Sequence, residues 1–220
     1  MSAKVIVVGM YTNTQQFGNG AVIVNTTSHS DTDWQSDLSP FKIGPCDLYD
    51  GHVAYNMENA WQYSKLYAVH ARPDGTPSED YWRWAKIGWT DPIARRYPMG
   101  KGSKPRCAVW EGEYLDYIDA RKRIYAPLYA EAVLKTDGWH KLKKLYENEK
   151  VLVLRDYDGY EHERLSMTLS QVLNNPARKM GHAFILKMLL TGDFALTELK
   201  MRSAKKEDVD DPTESGLEPS

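Results

Sequence analysis

The sequence predicts a helix-rich α+β fold in a single domain. β-branched runs that read as strands open the chain and recur once near residue 151, and most of the remaining chain carries apolar residues at helical spacing. At 220 residues the chain suits one hydrophobic core. The globular part is predicted to span residues 1–202, with residues 203–220 as a disordered acidic tail.

The runs "KVIVVGMYT" and "GAVIVNTT" read as two strands. The Asn-Gly before the second favours a turn, so they are expected to form a hairpin. "HSDTDWQSDLSPFKIGPCDLYDG" is rich in Asp, Ser, Pro and Gly and reads as loop. A helix is predicted from Val53 to Val69, and another over "PSEDYWRWAKIGW", where Ser78 followed by acidic residues signals an N-cap. "DPIARRYP" reads as a short helix with Pro92 in its first turn. "MGKGSKPR" is a basic loop. "LDYIDARKRIYAPLYAEAVLK" is a long helix that Pro127 should kink or split. "GWHKLKKLYENE" is a further helix, "KVLVLRDYDG" a strand ending in a turn, and "LSMTLSQVLNN" and "KMGHAFILKMLLTG" are helices. The last is apolar almost all round and should be buried. The tail, "SAKKEDVDDPTESGLEPS", has almost nothing to bury.

Composition narrows the function classes. The net charge of −2 gives no global field for gripping a nucleic-acid backbone. Cys46 and Cys107 form neither a CxxC nor a disulfide framework, which favours a reducing compartment. The apolar run Val5–Met10 is too short for a signal core or a membrane span, so a cytoplasmic protein without membrane contact is expected. With 7 Trp and 14 Tyr against 4 Phe, the aromatic residues suit wet recognition clefts as well as a core. No nucleotide-binding GxGxxG, nucleophile elbow or HExxH occurs, so neither a cofactor nor a metal is expected. "EHER" (161–164) and "RKR" (121–123) read as solvated helix faces.

"YNMENAWQYSK", residues 55–65, is the stretch that carries chemistry. On a helix Glu58, Gln62 and Lys65 would share a stripe about 60° wide, flanked by Tyr55 and Trp61. An exposed salt-bridged face normally sets Glu and Lys four apart. Here they are two turns apart with an amide between them, which suits the wall of a site as well as a surface helix.

The order of motifs around this stretch resembles the NADAR family (NAD- and ADP-ribose-associated, N-glycosidase-like proteins) over about residues 38–190. The resemblance is carried by Ser39-Pro40-Phe41, Asp50-Gly51, Glu58-x-x-x-Gln62-x-x-Lys65, "IGWTDPIARR", Trp110 before a long helix, the strand ending at Asp156, and "KMGHAFILKMLL" with Gly181. Pro40 stands where the family pattern has Asn. "NNPARKMGH" replaces the family's Asn-x-Leu-Gly. The resemblance implies an N-glycosidase-like enzyme that hydrolyses a C1′–N ribosyl bond in an ADP-ribosylated or ribosylamino nucleotide-type substrate, with modified nucleic acid among the substrates.

Such a cleavage passes through an oxocarbenium-like state and needs a carboxylate, help for the leaving nitrogen and aromatic walls. In that frame Glu58 is the acid/base, and Asp156 the second carboxylate, with Asp158 next in line. Lys65 holds a phosphate, tunes Glu58 or acts on an opened sugar. Gln62 orients the sugar, and Trp61 and Trp110 stack on a flat ring. Phe41, Asp50, Gly51, Tyr55, Gly181 and His182 complete the substrate wall. Phosphate has two candidate seats. One is the loop with Lys101, Lys104 and Arg106, which also reads as plain surface loop. The other is Arg178 and Lys179 with His182 at the start of the last helix, which also reads as ordinary solvated charge. The alternative is a non-catalytic module of the same fold that binds a nucleotide or modified base, in a phage or defence setting. A third reading, a nucleic-acid binder that stacks bases on Trp and Tyr, requires a strong salt dependence and is opposed by the net acidity.

Overall fold

The computed structural model describes residues 2–194, and the predicted tail at 203–220 lies outside them. The chain runs through β1 (Lys4–Gly9), β2 (Ala21–Asn25), α1 (Asp33–Ser36), β3 (Cys46–Asp47), β4 (Val53–Ala54), α2 (Met57–Gln62) and β5 (Lys65–Leu66). Then follow α3 (Glu79–Thr90), β6 (Cys107–Trp110), β7 (Glu113–Leu115), α4 (Tyr117–Ala120), α5 (Ala126–Val133) and α6 (Asp137–Asn148). β8 (Val151–Asp156), α7 (Leu169–Leu173) and α8 (His182–Thr191) complete it. These elements share one hydrophobic core, in an α+β arrangement.

The two N-terminal strands do not form the expected hairpin. β1 and β2 run in the same direction on either side of β8, with Lys4 and Ala21 both opposite Val151. A short 3₁₀ turn at Thr14–Phe17 lies in the connection between them. Leu152, Val153 and Leu154 are fully buried in the central strand, as a parallel strand covered on both faces requires. A partner some 130 residues away outweighs the local Asn-Gly turn signal. The carboxyl ends of β2 and β8 open at one edge, the place where open parallel sheets receive ligands.

The helix predicted over Val53–Val69 is shorter than expected. Asn56 caps α2 by accepting from Asn59 N at 2.8 Å. The helix ends at Gln62, and Lys65 pairs with Ala108 in β5 and β6. Ser78 caps α3 as expected, accepting from Tyr81 N at 3.3 Å. "DPIARRYP" is not helical. Asn59 Nδ2 donates to the carbonyls of Asp91 and Ile93 at 2.9 and 3.0 Å, and its Oδ1 accepts from Arg95 N at 2.8 Å. These bonds satisfy groups that a helix would have paired within itself.

Helical structure continues unbroken from Tyr117 to Val133, and Pro127 leaves its mark as a π turn over Arg121–Tyr125. The predicted α6, β8 and α8 are present, and Thr168 with Gln171 forms a capping box on α7. From His182 to Met188 every residue of α8 is buried. No helix among the described residues is long and apolar enough to cross a membrane.

Candidate functional site

A cavity of about 530 Å³ opens beside the carboxyl ends of β2 and β8. α2 supplies its most unusual group. Glu58 sits in the first turn of that helix, yet it is only 6 % exposed. Its backbone N–H donates to Pro40 O at 2.9 Å, which draws the Ser39-Pro40-Phe41 loop into the same wall.

Three side chains form a chain of hydrogen bonds. Lys65 Nζ donates to Gln62 Oε1 at 2.7 Å, and Gln62 Nε2 donates to Glu58 Oε1 at 2.8 Å. The motif therefore meets as expected, although Lys65 lies on a strand and not on the helix. Burial pushes the Glu58 carboxyl above the ordinary carboxylate range. The Gln62 hydrogen bond and the charges of Lys65, Arg96 and His182 oppose that push without cancelling it. Burial likewise lowers the Lys65 ammonium to about 8. Glu58 opposes the shift and the Lys179 charge adds to it. The Lys65 ammonium lies 4.5 Å from the Trp61 ring centroid, and Trp61 packs against Tyr125 at 5.3 Å.

The opposite wall is built on β8 and the start of α8. Asp156 Oδ2 accepts from Ala183 N at 3.1 Å and lies 3.1 Å from His182 Nδ1. Asp156 Oδ1 accepts from Asp158 N at 3.2 Å. His182 Nε2–H donates to Thr26 O at 2.7 Å. Asp156 thus caps α8, because Gly181 at the N-cap has no side chain to do so. Asp158 is more exposed and pairs with Arg96 at 3.5 Å. Of the two acidic candidates on this turn, Asp156 is the buried one.

The structure brings Phe41, Glu58, Trp61, Gln62, Lys65, Asp156, Lys179, Gly181 and His182 together around the cavity. It places the other expected site residues elsewhere. Asp50 and Gly51, both at positive φ, form the tight turn between β3 and β4. Tyr55 is 60 % exposed outside the cavity wall. Trp110 is buried in the core with its ring 4.9 Å from Tyr49, so it offers no stacking face. Lys101, Lys104 and Arg106 are exposed, and only their neighbours Gly100, Gly102, Ser103 and Pro105 touch the rim. The Arg178 guanidinium lies over the Tyr160 ring at 5.0 Å.

Two expectations of solvated charge fail at one residue each, while Glu163, Arg164 and Arg123 are exposed. His162 of "EHER" is buried, and Arg121 of "RKR" is 2 % exposed and lines the cavity. The signal for Arg121 was present in the sequence. It falls on the apolar stripe Tyr117, Ala120, Ile124, Leu128 at helical spacing, where a solvated charge does not belong. Arg96, at the end of the motif "IGWTDPIARR", also lines the cavity with Tyr125 and Thr27, none of which was among the expected site residues.

A family model matches residues 9–173, which hold all of the cavity wall except the segment leading into α8 and its first residue. It describes a family of unknown function, DUF6939. The chain belongs to the DUF6939 family. No curated protein matches it. Within the matched span of this DUF6939 chain lie Glu58, Gln62, Lys65, Arg121 and Asp156. Lys179, Gly181 and His182 follow it.

Proposed function

We propose that this DUF6939 protein is an N-glycosidase-like hydrolase of the NADAR kind, acting on a C1′–N ribosyl bond in an ADP-ribosylated or ribosylamino nucleotide-type substrate. The observation that carries the reading is Glu58: a buried carboxyl, raised by desolvation, facing a cavity and tied through Gln62 to Lys65. A carboxyl raised in this way holds its proton closer to neutral pH and can deliver it to a departing nitrogen.

In the proposed reaction the C1′–N bond breaks and its electron pair leaves with the nitrogen, which takes the proton of Glu58. Water adds to C1′ and gives its surplus proton back to the Glu58 carboxylate. The Asp156 carboxylate, fixed by Ala183 and His182, faces the positive charge that develops on the sugar. Phe41, Trp61 and Tyr125 supply flat apolar walls for a ring.

One observation favours the second reading, a binding module without turnover: Pro40 lines the cavity where the NADAR pattern has an amide side chain. Incubating the protein with ADP-ribosylated DNA, ADP-ribosylated protein, NAD and ribosylamino pyrimidine phosphates separates the two. Released ADP-ribose or ribose phosphate, detected by mass spectrometry, supports the hydrolase. Binding of one of these without release supports the module.

A further inference from the structure

Two cations of the cavity wall differ from the rest. Arg96 is matched by Asp158 at 3.5 Å, and Lys65 reaches Glu58 through Gln62. Arg121 and Lys179 have no carboxylate partner among the described residues. For Lys179, which is exposed, that is unremarkable. For Arg121, at 2 % exposure, it is not. Taking an ion out of water costs several kcal/mol unless an opposite charge or full hydrogen bonding compensates.

The hydrogen bonds of Arg121 hold it in place without neutralising it. Nη1 donates to the carbonyls of Val172, Leu173 and Asn175 at 3.1, 2.9 and 3.1 Å, and Nη2 donates to Arg178 O at 3.0 Å. The Tyr117 ring covers the guanidinium at 4.6 Å. A guanidinium has five N–H bonds. Nε–H and the second proton of Nη2 have no protein acceptor among the described residues. The bond to Arg178 O also sets the guanidinium beside the segment carrying Lys179, whose charge is felt by Lys65. The N-terminus of α8 is not available as an anion seat, because the Asp156 carboxylate already accepts from Ala183 N.

We propose that the Arg121–Lys179 end of the cavity seats a phosphate group of the ligand, with Arg121 as the buried, pre-positioned anchor and Lys179 as the exposed outer arm. The planar guanidinium suits phosphate oxygens, and its four carbonyl bonds remove the entropy cost of orienting it. This deepens the reading of the cavity as a ligand site by naming a phosphorylated ligand. It does not depend on hydrolysis.

Isothermal titration of the full chain with ribose 5-phosphate and with ribose tests the proposal, since neither probe contains an N-glycosidic bond. Ribose 5-phosphate is expected to bind at least about 10-fold more tightly than ribose, from one charge-assisted contact. Lys179→Gln is expected to weaken ribose 5-phosphate by a few-fold, to roughly 10-fold, and to leave ribose unchanged. Arg121→Lys is expected to lose more, with its fold checked by thermal unfolding because four carbonyls depend on the guanidinium. The exposed Lys179 variant keeps the test valid if Arg121→Lys does not fold. Equal affinity for the two probes, no binding of ribose 5-phosphate at about 10 mM, or unchanged affinity in Lys179→Gln would overturn the proposal. Loss of the hydrolase reading alone would leave it standing.

Discussion

A Cβ on Gly181 would stand 2.1 Å from Asp156 Oδ2. The glycine leaves room for the carboxylate that caps α8, so these two residues, 25 apart in sequence, act as one fitting. Gly181 has φ −74, a backbone conformation any residue adopts, and the constraint is therefore purely steric. Gly181→Ala is expected to displace Asp156 from Ala183 N and His182, and to destabilise the fold by about 1–3 kcal/mol. Urea unfolding measures the loss; a variant as stable as the parent would show that Asp156 can shift without cost.

The raised Glu58 carboxyl makes stability depend on pH in a defined direction. A carboxyl whose folded value lies above its ordinary 4.5 contributes its full stability below that pH and loses it as pH rises through the raised value. Glu58→Gln removes this titration. Relative to the parent, the variant is expected to gain stability as pH rises above the ordinary 4.5, read from urea midpoints. A difference that stays constant with pH would place the Glu58 value at that of an ordinary carboxylate.

Lys65 titrates in the opposite sense. Its ammonium is lowered from 10.5 to about 8, so its contribution to stability is present above the unfolded value and lost as pH falls through about 8. Competitive acylation followed by peptide mass spectrometry is expected to give a reactivity midpoint near 8 for Lys65, well below that of the exposed lysines. In Glu58→Gln the midpoint is expected to fall further, because the Glu58 charge holds it up. A midpoint in the range of exposed lysines contradicts the burial assigned to this group.

Trp110 and Trp61 separate core from site. Trp110 is packed in the interior, so Trp110→Ala is expected to cost about 3–5 kcal/mol of stability. Trp61 is only partly buried and lies under the Lys65 ammonium at the cavity wall. Trp61→Ala is expected to weaken ligand binding more than it weakens the fold. Binding and unfolding measured on both variants check the assignment; equal loss of binding in both would return Trp110 to the site.

Local signals in the sequence were sufficient wherever the structure is local. The Ser78 cap, the apolar β8 run and the all-round hydrophobicity of α8 each depend on nearby residues, and each is found in the fold. Where a distant partner decides, the local pattern misleads. β1 and β2 are parallel because β8 lies between them, and "DPIARRYP" is an irregular loop whose backbone Asn59 binds. The spacing of Glu58, Gln62 and Lys65 brought them together even though the helix ends before Lys65. Arg121 stands in a run of cations, and its place on the apolar stripe is what separates it from the exposed Arg123.

The central claim is that Glu58 is an acid held ready at a functional cost. Its most direct test is the release of ADP-ribose or ribose phosphate by the parent and by Glu58→Gln, with urea unfolding of both at pH 7. The expected result is release by the parent, a loss of at least about 100-fold in the variant, and a variant at least as stable as the parent. Release that persists in a folded Glu58→Gln, or a variant that unfolds because Glu58 is a structural partner, would contradict the claim.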